Sequence, residues 1–325
     1  SAFDASQRAR MEEMIGEDAL ELASWEEMGD CRIYDGAIEE HLDRIAADFP
    51  TALSIKVVVD SGCGVACLAT PYLLKRLGCE VIALNSHPSG LFPRGLEPIP
   101  ENLGTLMQVV KDSGAHLGIA HDGDGDRMMA VDDRGRFVPG DKLLALFART
   151  LGAKRVVTTV DASLAIEDLG LEVVRTRVGD AFVSEELRGG GDLGGEPSGN
   201  WIFPNISFCP DGIYAAALIA RMAAEERLSH LVDALPSYPV LRGGLAADRM
   251  EMTGLGKRLR EMGPLSISNL DGWRLAFQDG WLLIRPSGTE PMIRISAEAR
   301  TEDRAQELYH AGIKAVTEFL KGAKV

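Results

Sequence analysis

From Ile55 onward the chain alternates short β-branched runs with longer stretches of helical periodicity. SIKVVVD (54–60) reads as a strand stopped by the turn SGCG, and VACLATPYLLKRLG (65–78) as a helix with a glycine stop. CEVIAL (79–84) predicts a second strand, ENLGTLMQVVKDSG (101–114) a second helix and HLGIAHD (116–122) a third strand. This alternation predicts a parallel sheet covered by helices. MMAVDDRGRFV (128–138) has the pattern of a hairpin and GDKLLALFARTLG (140–152) that of a helix.

The pattern then restarts, with RVVTTVD a strand, SLAIEDLG a helix, LEVVRTRVG a strand and DAFVSEELRGG a helix. DLGGEPSGNWIFP (192–204) reads as a glycine-rich strand and loop before the long helix DGIYAAALIARMAAEE (211–226). The expected fold class is therefore α/β: two duplicated three-layer α/β domains with a mostly parallel sheet, at 29–148 and 149–235. A C-terminal α+β domain is expected at 236–325, where WRLAFQDGWLLIRPSGTEPMIRISAEA gives strands joined by tight turns before one amphipathic helix (301–322). The N-terminal pieces QRARMEEMI, ALELASWEEMG and DGAIEEHLDRIAADF are expected to be helical.

A length of 325 residues fits two or three domains, and 46% hydrophobic with 26% charged residues is a globular balance. The net charge of −15, with no dense Lys/Arg cluster, argues against a nucleic-acid partner. No apolar run reaches the roughly 20 residues of a membrane helix. The five cysteines lack zinc-like spacing with histidine and read as reduced thiols of a cytoplasmic protein.

Chemistry concentrates in four loops. HDGDGDR (121–127) sets three carboxylates at alternate positions, an arrangement that repels itself unless a cation sits among them. It follows an apolar strand, and open α/β sheets place ligands at such carboxyl ends. The glycines let Asp122, Asp124 and Asp126 converge on a hard divalent ion such as Mg²⁺. An EF-hand loop would need Gly at its sixth position and Glu at its twelfth, where Arg127 and Asp133 stand. In GGEPSGNW (194–201), Glu196 and Ser198 would point to one side of a strand-like stretch and could bind vicinal sugar hydroxyls; a tight turn is the plainer alternative. In RPSGTEPMIR (285–294), Arg285, Ser287, Gly288 and Thr289 can cradle a phosphate dianion, with Arg294 facing the same site or pairing with Glu290. In RVGD (177–180), Arg177 before a tight turn at Gly179 and Asp180 could orient a phosphate, or be a charged strand end.

Taken in order, DGDGDR, GEPSGN and RPSGTEPMIR resemble the α-D-phosphohexomutase superfamily, which includes phosphoglucomutase, phosphomannomutase and phosphoglucosamine mutase, and look closest to its archaeal branch. The resemblance implies Mg²⁺ on Asp122, Asp124 and Asp126, with Arg127 and Arg177 near the transferring phosphoryl group. It implies sugar contacts from Glu196 and Ser198, with Gly179, Asp180 and Asn200 beside the substrate, and phosphate contacts from Arg285, Ser287, Gly288, Thr289 and Arg294. Arg177 stands where many relatives have Lys, and Asn200 where many have His. The implied chemistry exchanges a phosphoryl group between O1 and O6 of a hexose through a phosphoserine and a hexose 1,6-bisphosphate. No T-A-S-H-N-P-like phosphoserine motif occurs in the sequence. Residues 1–28 resemble the stretch that follows that motif, so the expectation is a remnant of an N-terminal domain and an inactive chain. The expected partners are a small-molecule sugar phosphate and a second copy of the chain in a homodimer. The alternative reading is a noncatalytic sugar-phosphate-binding protein derived from such enzymes.

Overall fold

The computed structural model describes residues 3, 5–16, 23–247, 254–287 and 291–322. In chain order the elements are α1 (Ala5–Gly16), α2 (Ala37–Ala46), β1 (Lys56–Asp60), α3 (Thr70–Arg76), β2 (Glu80–Leu84), α4 (Gly104–Ser113), β3 (Leu117–His121), β4 (Met128–Asp132) and β5 (Phe137–Val138). They continue with α5 (Gly140–Leu151), β6 (Arg155–Thr159), β7 (Glu172–Thr176), α6 (Asp180–Arg188), β8 (Leu193–Gly195), β9 (Trp201–Ile202), α7 (Gly212–Glu225) and α8 (Leu228–Asp233). The last are β10 (Val240–Ala246), α9 (Leu255–Arg260), β11 (Ser266–Ser268), β12 (Trp273–Ala276), β13 (Gly280–Pro286), β14 (Met292–Ala299) and α10 (Glu302–Gly322).

The chain divides into two compact units, one of residues 1–138 and 199–230, the other of 139–198 and 231–325. In the first, the sheet order is β2-β1-β3-β4-β5. β1 pairs parallel with β2 and β3, and β3 turns antiparallel into β4. Val57, Val58, Val59, Leu117, Ile119 and Ala120 are fully buried, as expected for strands covered on both faces. Gly118 fits because a Cβ there would lie 2.7 Å from Val110 Cγ2 of α4.

In the second unit β6 pairs parallel with β7 and β8. A separate antiparallel sheet runs β10-β14-β13-β12-β11. One of its faces buries Ile293, Ile295 and Ala297 against Ala305, Leu308 and Val316 of α10.

Two local expectations fail. Within ALELASWEEMG the described residues 23–29 form no helix, and Trp25 and Met28 are exposed. Propensity without a buried face does not hold a short helix in water. SLAIEDLG is a 3₁₀ turn (Leu164–Leu169) capped by the Ser163 hydroxyl, rather than an α-helix.

Candidate functional site

The 122–127 loop is closed by the β3–β4 hairpin, with His121 opposite Met128. Side-chain oxygens of Asp122, Asp124 and Asp126 lie within 4.8 Å of one another. Asp122 is buried and works mainly for the loop itself. Its Oδ1 accepts the N–H of Gly125 and of Arg127, each at 3.2 Å, and its Oδ2 accepts Arg127 Nε at 2.6 Å. Burial, reinforced by the charges of Asp122 and Asp124, pushes the Asp126 carboxyl up to about 7. Burial is the larger cause, the repulsion read from the sequence adds to it, and a cation among the carboxylates would offset both. An all-carboxylate donor set is hard and suits Mg²⁺.

Residues that the sequence reading did not single out hold this loop. The buried His121 ring lies 2.9 Å from Thr70 Oγ1 through Nε2 and 3.0 Å from the Arg127 carbonyl through Nδ1. A carbonyl only accepts, so Nδ1 carries the proton and Nε2 accepts the Thr70 hydroxyl. Burial lowers this histidine to about 4, which keeps the ring neutral. Arg94 donates to the His121 carbonyl at 2.6 Å and to Asp60 Oδ2 at 3.0 Å. Val65 N–H donates to the Gly123 carbonyl at 3.0 Å, and a Cβ on Gly64 would strike that same carbonyl. Glu97 approaches Arg127 to 3.6 Å. The available signal was the strand itself, since a polar His121 and a charged Asp60 end apolar strands while fully buried.

Asn200 forms an isolated antiparallel bridge with Arg127, and Met128 N–H donates to the Gly199 carbonyl at 3.0 Å. Asn200 thus lies against the metal loop within the first unit.

In the second unit, Glu196 and Ser198 do not share a strand face. β8 ends at Gly195, Glu196 is buried, and Ser198 lies in an exposed turn. Glu196 Oε1 accepts the N–H of Gly179 at 2.8 Å, so GEPSGN and RVGD are joined. Gly179, at φ +132°, is the residue before α6, whose first turn holds Asp180. Pro197 packs so close to Gly140 that a Cβ there would strike its carbonyl. Arg177 donates to the Leu270 carbonyl at 2.9 Å and lies 5.7 Å from the Phe182 ring centroid.

Arg285 and Arg294 sit opposite each other on β13 and β14. Asp271 stands 3.7 Å from Arg285 and accepts the Val178 N–H at 3.2 Å. Arg294 Nε reaches the Ser287 hydroxyl at 3.4 Å. Gly288, Thr289 and Glu290 lie outside the described residues.

Three family profiles match the chain: "Phosphoglucomutase/phosphomannomutase, alpha/beta/alpha domain II" over residues 39–135, "alpha/beta/alpha domain III" over 139–238, and "C-terminal domain" over 250–314. The chain belongs to the phosphoglucomutase/phosphomannomutase family. It is 49% identical to the "Probable phosphoglucosamine mutase" of Methanocella arvoryzae, over 95% of this chain and 72% of that protein. The protein of the same name from Methanococcoides burtonii is 45% identical, over 98% of this chain and 75% of the other. The crystal structure of a phosphoglucomutase/phosphomannomutase family protein from Burkholderia thailandensis superposes with a TM-score of 0.85 at 28% identity, covering 98% of this chain and 71% of that one. Among the described residues no helix is long and apolar enough to cross a membrane.

Proposed function

We propose that this phosphohexomutase acts on glucosamine phosphates, interconverting the 6-phosphate and the 1-phosphate in the cytoplasm. The observation that carries the chemistry is the convergence of Asp122, Asp124 and Asp126 beside Arg127. The choice of glucosamine rests on relatives of that name at 49% and 45% identity.

Asp122, Asp124 and Asp126 would hold Mg²⁺, which supplies positive charge beside a transferring phosphoryl group. Arg127, steered by Asp122, adds a guanidinium at the same place. Glu196 and Ser198 would bind sugar hydroxyls, with Glu196 also fixing Gly179. Arg285, Ser287, Gly288, Thr289 and Arg294 would hold the phosphate that is not in transfer. In the full reaction the O–P bond of a phosphoserine breaks as its phosphoryl group passes to the free sugar hydroxyl, whose proton ends on the serine oxygen. The 1,6-bisphosphate turns over, and the serine takes back the other phosphoryl group. The 325 residues contain no T-A-S-H-N-P-like segment, and we assign the serine to sequence outside them. These residues alone then bind substrate without turning it over.

The test has two arms. Calorimetry on this chain should detect glucosamine 6-phosphate, and a mutase assay of the same chain should read zero. Supplying the serine-bearing segment together with the bisphosphate primer should give turnover with glucosamine 6-phosphate, ahead of the glucose and mannose esters. Turnover by this chain alone would overturn the placement of the serine. Binding without turnover in every combination would favour a noncatalytic sugar-phosphate-binding protein.

A further inference from the structure

A cavity of about 500 Å³ opens on the face of the C-terminal sheet opposite α10, lined by Asp161, Arg242, Gly243, Gly244, Arg285, Met292, Arg294 and Ser296. The register explains which side chains meet there. Arg285 opposes Arg294, Arg294 opposes Gly244, and Ser296 opposes Arg242. Residues directly opposite share a face, as do alternate residues along one strand. Arg242, Arg285, Arg294 and Ser296 therefore share the open face, and Gly244 leaves a gap in front of Arg294. A Cβ on Gly244 would come within 2.8 Å of the Ile293 carbonyl and 2.9 Å of Met292 Cε, so the gap is built into the backbone packing.

The three arginines are not equivalent. Asp271 at 3.7 Å already offsets part of the charge of Arg285. Arg294 is turned toward Ser287. Arg242 makes no hydrogen bond or ion pair with the described residues, and it feels the buried carboxyl of Asp141 only through space. Asp161, the one carboxylate among the lining residues, accepts the Thr159 hydroxyl. The lining residues carry three guanidinium groups and one carboxylate, and no ion pair with the described residues offsets the charge of Arg242, leaving it for the second negative charge of a phosphate monoester dianion.

We propose that Arg242 is a third phosphate-binding arginine and makes this cavity selective for a dianionic phosphate ester over a monoanionic one. This rests on the reading of Arg285, Ser287 and Arg294 as phosphate ligands, and extends it to a strand that none of the recognised loops includes. Without Arg242 the cavity loses that charge and no longer favours a dianion over a monoanion.

The experiment is calorimetric titration of the chain and of Arg242→Gln, Arg242→Lys and Arg285→Gln with glucosamine 6-phosphate and with glucosamine 6-sulfate. Circular dichroism and thermal midpoints establish that each variant is folded. Arg242→Gln should weaken the phosphate ester about tenfold and the sulfate ester about threefold or less, while Arg242→Lys keeps most of the preference. Arg285→Gln should weaken both. Unchanged binding by Arg242→Gln with a clear loss in Arg285→Gln overturns this inference and leaves the phosphate-loop reading standing. Equal losses for the two esters in Arg242→Gln overturn the selectivity. No loss in either glutamine variant overturns the phosphate-loop reading itself, and this inference with it.

Discussion

Asp122, Asp124 and Asp126 are carried on a loop whose carbonyls at His121, Gly123 and Arg127 are each engaged by another element. Arg242, Arg285 and Arg294 stand instead on adjacent strands, held apart by sheet register and open to the cavity. The difference follows from the charges. Converging carboxylates on a short loop would splay apart, so the backbone around them has to be fixed from outside. Long guanidinium side chains need only a common face, since their reach brings the heads together. A centre of the first kind is broken by second-row contacts. One of the second kind is sensitive to the heads themselves.

The largest expected effect is at the carboxylates. Asp124 is the exposed member of the three, so Asp124→Ala should leave the fold intact. It should weaken Mg²⁺ or Mn²⁺ binding by about 100-fold or more, read by calorimetry. Retained metal affinity would mean that the three carboxylates do not act together.

Next comes Asp141, whose carboxyl burial pushes up to about 6 from 3.8, with the Ser163 N–H on its Oδ1 and Glu298 and Arg242 nearby. Below about pH 3.8 the group is protonated in both folded and unfolded chains. Between there and about pH 6 the unfolded chain ionises first, so this group's contribution to stability falls as pH rises. Two units of displacement correspond to about 3 kcal/mol. Asp141→Asn, which keeps the acceptor for Ser163, should therefore be more stable than the parent at pH 7.5 by about 2 kcal/mol and no different at pH 3.5. Denaturant unfolding at both values checks this. An equal gain at both would point to packing.

A smaller effect is expected behind the metal loop. Thr70→Val removes the hydroxyl that the His121 ring accepts and keeps its shape. It should weaken Mn²⁺ about five- to tenfold with little change in sugar-phosphate affinity. Equal loss of both ligands would reduce Thr70 to a packing residue.

The smallest concerns Asp271→Asn, which retains an oxygen for the Val178 N–H and removes the partial ion pair to Arg285. Freed of that carboxylate, Arg285 should bind the phosphate ester about two- to threefold more tightly. Weaker binding would mean that Asp271 orients Arg285 rather than competing for it.

Much of this was legible beforehand. β1, β2 and β3 and the helices between them follow the apolar periodicity of 54–122, and the aspartate loop falls at the carboxyl end of β3 where the pattern placed it. The strand expected to carry Glu196 and Ser198 is not there, because Gly195 ends β8 one residue before the glutamate and the tight turn replaces the alternation. Thr70, Arg94 and Asp271 were missed because each reaches a partner distant in sequence, 51, 27 and 93 residues away for His121, His121 and Val178, and His121 because its role depends on Thr70 as well as on the nearby Arg127 carbonyl.

The sequence by itself determined the strand–helix order of 54–122, the four loops and the unrelieved repulsion at 122–126, because these depend on short-range periodicity and charge spacing. Only the tertiary structure decided that a neutral, buried imidazole holds the aspartate loop, and that Arg242 stands on the same face as Arg285 and Arg294. Both depend on which strands become neighbours and in what register, and a shift of one residue would turn Arg242 to the face that α10 covers.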